Sequence, residues 1–325
     1  MMGSRSNALG IYTAVALLAG CGGSQLEPAQ VQSNAPQTAT SLGRVAPASG
    51  ARTVLGWSWI APEAKQSDLA YVSGGYHAGI LAFTYPRGKY VGSIATGADA
   101  QGLCAAKNGN WWVVAADADE VLEYAHGGTM PLKTLNVSAG EPAGCAVDPT
   151  TGNLAVTILG TGSVVVFTRG SGSGTTTSDG LASTYFDGYD DKGNLFADGL
   201  SGDSSPGLVE LPKGGSTFVP IKLSRALLFP GGVQWHERYL AVGDQEASAI
   251  YHFAIHGGNA KEIGVTRLGG GSDIIAFWIQ KRDVVAADAG NETAAIWKYP
   301  SGGAPIRFLS GPYGLSAGIT VSVAK

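Results

Sequence analysis

One short unit recurs along this chain. It is an apolar run of four residues with an aromatic residue or leucine in fourth place, closed by a glycine turn. It appears as Ile80-Leu81-Ala82-Phe83 before Gly88, Val121-Leu122-Glu123-Tyr124 before Gly127, and Val164-Val165-Val166-Phe167 before Gly170. It returns as Leu208-Val209-Glu210-Leu211 before Gly214, Ile250-Tyr251-His252-Phe253 before Gly257, and Ile296-Trp297-Lys298-Tyr299 before Gly302. The third place is polar in most copies (Glu123, Glu210, His252, Lys298), as the two-residue alternation of a strand with one wetter face requires. A second run precedes each copy, starting at Leu69, Trp111, Leu154, Leu195, Tyr239 and Val284. These starts are about 42, 43, 41, 44 and 45 residues apart, the period of a four-stranded propeller blade.

A third run lies before the second, as Gly102-Leu103-Cys104-Ala105, Gly144-Cys145-Ala146-Val147, Tyr185 to Tyr189, Gly232 to Trp235, and Ile274 to Trp278. A weaker fourth follows the glycine turn, as in Leu132–Val137 and Phe218–Leu223. Four strands in each of six repeats predict an all-β fold, a β-propeller of six four-stranded blades over residues 53–325. Closing such a ring buries every sheet face and leaves only short edges. The 49 glycines, spread without a collagen period, suit that many turns, and a 44% hydrophobic content supplies the core. Gly318 to Val323 has the character of a first strand with no repeat after it. It would join the first blade, where Trp57 to Ile60 competes for the same place, and this duplication makes seven blades the alternative. Gly170 to Gly180, rich in Gly, Ser and Thr, reads as a mobile loop where the third blade's outer strand should be.

The segment Gly144-Cys145-Ala146-Val147-Asp148-Pro149-Thr150-Thr151-Gly152-Asn153-Leu154-Ala155-Val156 resembles the NHL repeat. The chain as a whole is similar to the NHL-type propeller lipoproteins of bacteria. The resemblance runs from about Asp68 to the C-terminus. It implies a propeller fold and carries no activity with it. Asp117, Asp198, Asp244 and Asp288 fall where the NHL aspartate closes the second strand.

The N-terminus specifies an address. Arg5 is the basic residue of a short leading segment, and Ala8 to Gly20 is apolar apart from Tyr12 and Thr13. That is too short to span a bilayer and matches a signal-peptide core. It ends in Leu18-Ala19-Gly20-Cys21, which resembles a bacterial lipobox. Residues 1–20 are thus expected to be a lipoprotein signal peptide, removed before an acylated (palmitate-type) Cys21 that anchors the protein in the membrane. Gly22, rather than Asp, after the cysteine favours the outer membrane. Residues 21–52, poor in large apolar side chains, read as a flexible tether rich in Ser, Gln, Ala, Pro and Thr. A net charge of −4, with no stripe of Lys or Arg, argues against nucleic acid as a partner. The expected partner is a protein, peptide or small molecule at the propeller rim, and the expected state a monomer.

Asp117, Asp198, Asp244 and Asp288 should share one rim. Each either accepts hydrogen bonds from backbone amides of its own turn or contributes to an acidic ring for a divalent cation. Glu141, Asp99 and Asp273, in loops entering the first strands, lie on the same face. Gluconolactonase-like propellers hold a metal near that mouth with Glu, Asn and Asp, and virginiamycin-lyase-like propellers use His and Glu. Neither pattern is matched here residue by residue. His126, His236, His252 and His256 lack metal-ligand spacing, and no Ser-His-Asp or Cys-His arrangement is visible. The polar run from Asp198 to Asp203 reads as a solvated loop. Cys104 and Cys145 lie in first strands of adjacent repeats at opposite parity, which places their thiols either facing each other across a blade boundary or as two small buried residues. An exported protein would keep that pair as a disulfide. Trp111, Trp112, Trp278 and Trp297 read as inter-blade core, and Trp57 and Trp59 as packing at the domain entry. The function expected is a binding or scaffolding module at the cell envelope. The alternative is a metal-dependent lactonase- or lyase-like enzyme at the channel mouth.

Overall fold

The computed structural model describes residues 58–74, 79–311 and 317–325, all within the unit Thr40–Lys325. The expected signal peptide, Cys21, the tether and Trp57 lie outside the described residues.

The first repeat supplies β1 (Trp59–Ile60), β2 (Leu69–Ser73), β3 (Ile80–Thr84) and β4 (Tyr90–Ile94). The second supplies β5 (Ala100–Ala105), β6 (Trp111–Ala115), β7 (Glu120–Tyr124) and β8 (Pro131–Asn136). The third supplies β9 (Pro142–Val147), β10 (Leu154–Ile158), β11 (Ser163–Phe167) and β12 (Thr175–Ser178). The fourth supplies β13 (Ser183–Tyr189), β14 (Leu195–Leu200), β15 (Pro206–Leu211) and β16 (Val219–Leu223). The fifth supplies β17 (Pro230–His236), β18 (Tyr239–Asp244), β19 (Ala249–His256) and β20 (Asn259–Arg267). The sixth supplies β21 (Ile274–Gln280), β22 (Asp283–Asp288), β23 (Thr293–Lys298) and β24 (Arg307–Phe308), and the chain ends on β25 (Ile319–Ser322).

These strands do not make six separate blades, nor seven. Among the described residues they form four propeller-like blades and one larger sheet. The blades are β1-β4-β3-β2-β25, β5 to β8, β9 to β12 and β21 to β24. The fourth and fifth repeats merge into one eight-stranded sheet, ordered β13-β14-β15-β16-β20-β19-β18-β17. The join is a parallel pairing of outer strands, Lys222 with Asn259 and Leu223 with Ala260. The end strands β13 and β17 also pack side by side, so this sheet nearly closes into a barrel. The physical reason is the length of the β19–β20 hairpin. Its tip extends an unpaired edge past the usual outer strand, and such an edge pairs with any strand in reach. Lys222 N donates to Gly258 O at 2.9 Å and Ser224 N to Ala260 O at 2.9 Å.

Two other expectations resolve. The C-terminal strand β25 pairs with β2 on the inner side of the first sheet. The competing segment, as β1, pairs with β4 at the opposite edge, so both fit one sheet and no seventh blade is needed. The Gly170 to Gly180 stretch is not a loop throughout: Thr175–Ser178 forms β12, paired along its length with β11.

The aromatic fourth place of the repeated run is core. Phe83, Tyr124, Phe167, Phe253 and Tyr299 are all buried. Between the first two sheets Tyr71, Trp111 and Tyr124 form a column, with ring centroids 4.1 and 4.8 Å apart, an arrangement that adds to area burial. Trp112 and Trp297 are buried as expected. Trp278 is not; it is half-buried and lines the central cavity. The inner strands approach one another backbone to backbone where side chains are absent. A Cβ on Gly144 would lie 2.7 Å from the Tyr185 carbonyl oxygen, so only glycine fits there.

Candidate functional site

The inner strands β5, β9, β13, β17 and β21, with Ile319 of β25, enclose a cavity of about 570 Å³, a size usual for small-molecule sites. It extends toward the turns joining first to second strands, reached at Lys107–Asn108, Pro149–Thr150 and Asp190–Asp191.

The repeated acids lie at the other end of these strands. Asp244 pairs with Pro230 and Asp288 with Ile274, each at the start of its inner strand. Asp117 follows Ala115, which pairs with Ala100, the first residue of β5. There the carboxylates hold backbone. Asp117 accepts from Asp99 N at 2.7 Å. Asp244 accepts from Leu228 N at 2.9 Å and Phe229 N at 3.3 Å. Asp288 accepts from Ser272 N at 3.1 Å and from Asn291. Asp198 accepts from Phe186 N at 3.0 Å. Hydroxyls do the same work in the two repeats that lack the acid. Thr157 accepts from Gly144 N at 2.7 Å, and Ser73 from Gly318 N at 2.6 Å. The shared requirement at this place is an oxygen that fastens the incoming inner strand, not a negative charge.

Asp99, Glu141 and Asp273 occupy equivalent places in the entry loops. Their carbonyls accept from Ala116 N, Leu159 N and Ala289 N at 2.9, 2.8 and 3.0 Å. Among the described residues no group of three or more His, Cys, Asp or Glu side chains is placed to hold a metal ion. Of the histidines, His252 is buried against Tyr239 and Tyr299, where burial lowers its pKa to about 4. Asp203 accepts from Ser205 within its own exposed turn, while Asp198 sits inside β14 and is fully buried.

Cys104 and Cys145 form a disulfide, with Cα atoms 5.7 Å apart. It ties β5 to β9 and lies in the cavity wall.

The residue that sequence reasoning missed is Asp187. It is 5% exposed and lines the cavity, and neither of its carboxyl oxygens has a hydrogen-bond partner. Burial pushes its pKa well above the usual carboxylate range. Burial does the same to Asp198, whose second oxygen is also unpartnered and which Asp187 repels further. The register shows how odd Asp187 is. It pairs with Ala197, as Leu103 pairs with Val113, Cys145 with Val156, Val233 with Val242 and Phe277 with Ala286. Among these equivalent inner-strand places only β13 carries a charge-bearing side chain. The signal was present as an acid inside the aromatic run Tyr185-Phe186-Asp187-Gly188-Tyr189, but its meaning depended on a register set by β14.

Several other polar groups of the wall are already engaged, whereas Trp235 Nε1 is, like Asp187, buried there without a partner. Asp148 accepts from Thr150 N at 2.7 Å and from the hydroxyls of Thr150 and Thr151. Asp190 accepts from Lys192 N and from Asn194. Gln234 exchanges two hydrogen bonds with the Ile279 backbone.

No family model and no curated protein matches the chain. Among solved structures it is similar to a chain of a nidogen–laminin complex, at 13% identity and a TM-score of 0.68, over 80% of this chain and 100% of that one. It is also similar to a streptogramin B lyase, at 12% identity and a TM-score of 0.50, over 62% of this chain and 66% of that one. At such identity the likeness is one of fold alone. The class it defines, with the sheets above, is an all-β propeller-like protein.

Proposed function

We propose that this protein is an exported, lipid-anchored binding module of the bacterial envelope, which holds a small ligand in the cavity between its inner strands. The observation that carries this reading is the carboxyl of Asp187, buried in the cavity wall without a partner. Such a group costs about 1–3 kcal/mol, and a ligand that supplies the missing partner offsets that cost. Support for binding rather than chemistry comes from its neighbours: Asp148, Asp190 and Gln234 are already committed within the chain. Support for the anchor comes from Leu18-Ala19-Gly20-Cys21.

The test is thermal stabilisation by a panel of small amines, alcohols, acids and sugars, since a ligand that binds only the folded state raises the melting temperature. At least one chemical class should stabilise the wild type and leave Asp187→Leu unchanged. A panel in which no class shifts the wild type overturns the reading. The anchor is checked separately, by the acyl mass on Cys21 and its loss in Cys21→Ser.

A further inference from the structure

Resting on that cavity reading, we propose that the ligand is an organic cation: a primary ammonium carried on an apolar body, with its N–H groups supplying the missing partners of Asp187. Charge and wall chemistry point the same way.

The wall carries four aspartates, Asp148, Asp187, Asp190 and Asp191, against one lysine, Lys107. Lys107 is exposed at the mouth. An anionic ligand would meet a surplus of like charge, and a cation is drawn inward by it. The wall also carries four aromatic side chains, Phe186, Trp235, Phe277 and Trp278. Aromatic faces attract cations, most strongly where water is excluded. They also take up the apolar body of the ligand. At Asp187 both carboxyl oxygens are buried and lack partners within the chain, and a ligand meets them as the side chain turns toward the cavity. An ammonium brings three donors, enough for both oxygens of an ionised Asp187, whereas an alcohol brings one donor and one acceptor, which suits a protonated carboxyl or the unpartnered Trp235 Nε1 instead. An ammonium also removes the cost of ionising a carboxyl away from water, which a neutral ligand leaves in place.

The test compares three ligands of matched size by isothermal titration calorimetry on the mature protein: phenethylamine, 2-phenylethanol and 3-phenylpropanoate. Phenethylamine should bind at least about tenfold more tightly than 2-phenylethanol, with 3-phenylpropanoate weakest. In Asp187→Asn the amine should lose that advantage and the alcohol should bind as before. The wild-type ranking stands on its own if the variant fails to fold. If the alcohol or the acid binds as well as the amine, the cation inference falls and the cavity reading survives. If none of the three binds the wild type below about 10 mM, both fall. An amine preference that persists in folded Asp187→Asn places the cation elsewhere and overturns the assignment.

Discussion

Removing the bridge between Cys104 and Cys145 should weaken the fold by an amount set by the loop it closes. The two residues are 41 positions apart, and the loop contains all of β6, β7 and β8. Loop-closure entropy for a ring of that size amounts to about 4 kcal/mol at room temperature. For a unit of this size each kcal/mol moves the melting temperature by about 2–4 °C, so the double variant Cys104→Ala/Cys145→Ala should melt about 8–16 °C lower. Alanine is preferred to serine because both cysteines sit in an apolar cluster with Trp112, Val114 and Val156. Calorimetry of the two proteins at one pH gives the shift. Hydrogen exchange shows where it falls: amides of β6 and β7 should lose protection before those of β22 and β23, which the bridge does not span. A thiol count on denatured, unreduced protein provides the control, with neither Cys104 nor Cys145 reacting. A shift below about 2 °C would show that the bridge does not restrict the unfolded chain as the entropy argument requires.

Asp187 should make stability fall as pH rises. Its folded pKa is raised, so the unfolded chain ionises first. Stability is full below the unfolded value, about 3.9, and declines by about 1.4 kcal/mol per pH unit until the folded value is reached. Urea midpoints across that window should fall more steeply for the wild type than for Asp187→Asn, with Asp198 leaving a residual slope in both; equal slopes would contradict a proton held by burial. Thr157→Val, which keeps the shape and removes the hydroxyl, should cost about 1–3 kcal/mol by stranding Gly144 N and Tyr185 O. Thr157→Ser should recover most of it, and an unchanged denaturation midpoint in the valine variant would dismiss the fastening role of this place. Truncation after Ser310 removes β25 and bares the inner edge of β2. The product should associate in size-exclusion chromatography through that edge, and a stable monomer would show that β25 is dispensable for closure.

Much of the fold could be read from local pattern. Strand positions followed from two-residue alternation, and the disulfide from the opposite parity of Cys104 and Cys145. Both depend on which face of one strand a residue occupies, which the chain encodes within a few positions. The recurrent oxygen at Ser73, Asp117, Thr157, Asp198, Asp244 and Asp288 was half legible. Its periodicity was visible at the acids, but its work on backbone amides was not, because the donors lie on the incoming inner strand.

The sequence by itself determined that the chain is all-β and where the inner strands of each repeat lie, and it pointed to the cysteines that meet. Tertiary structure alone decided two things. It joined the fourth and fifth repeats into one sheet, because outer strands are exposed and weakly patterned, and which edge they meet depends on how far a distant hairpin reaches. It also turned Asp187 from one acid among several into a buried group without a partner. Burial of a single side chain depends on neighbours from β9, β14 and β17, and no pattern along β13 records their arrival.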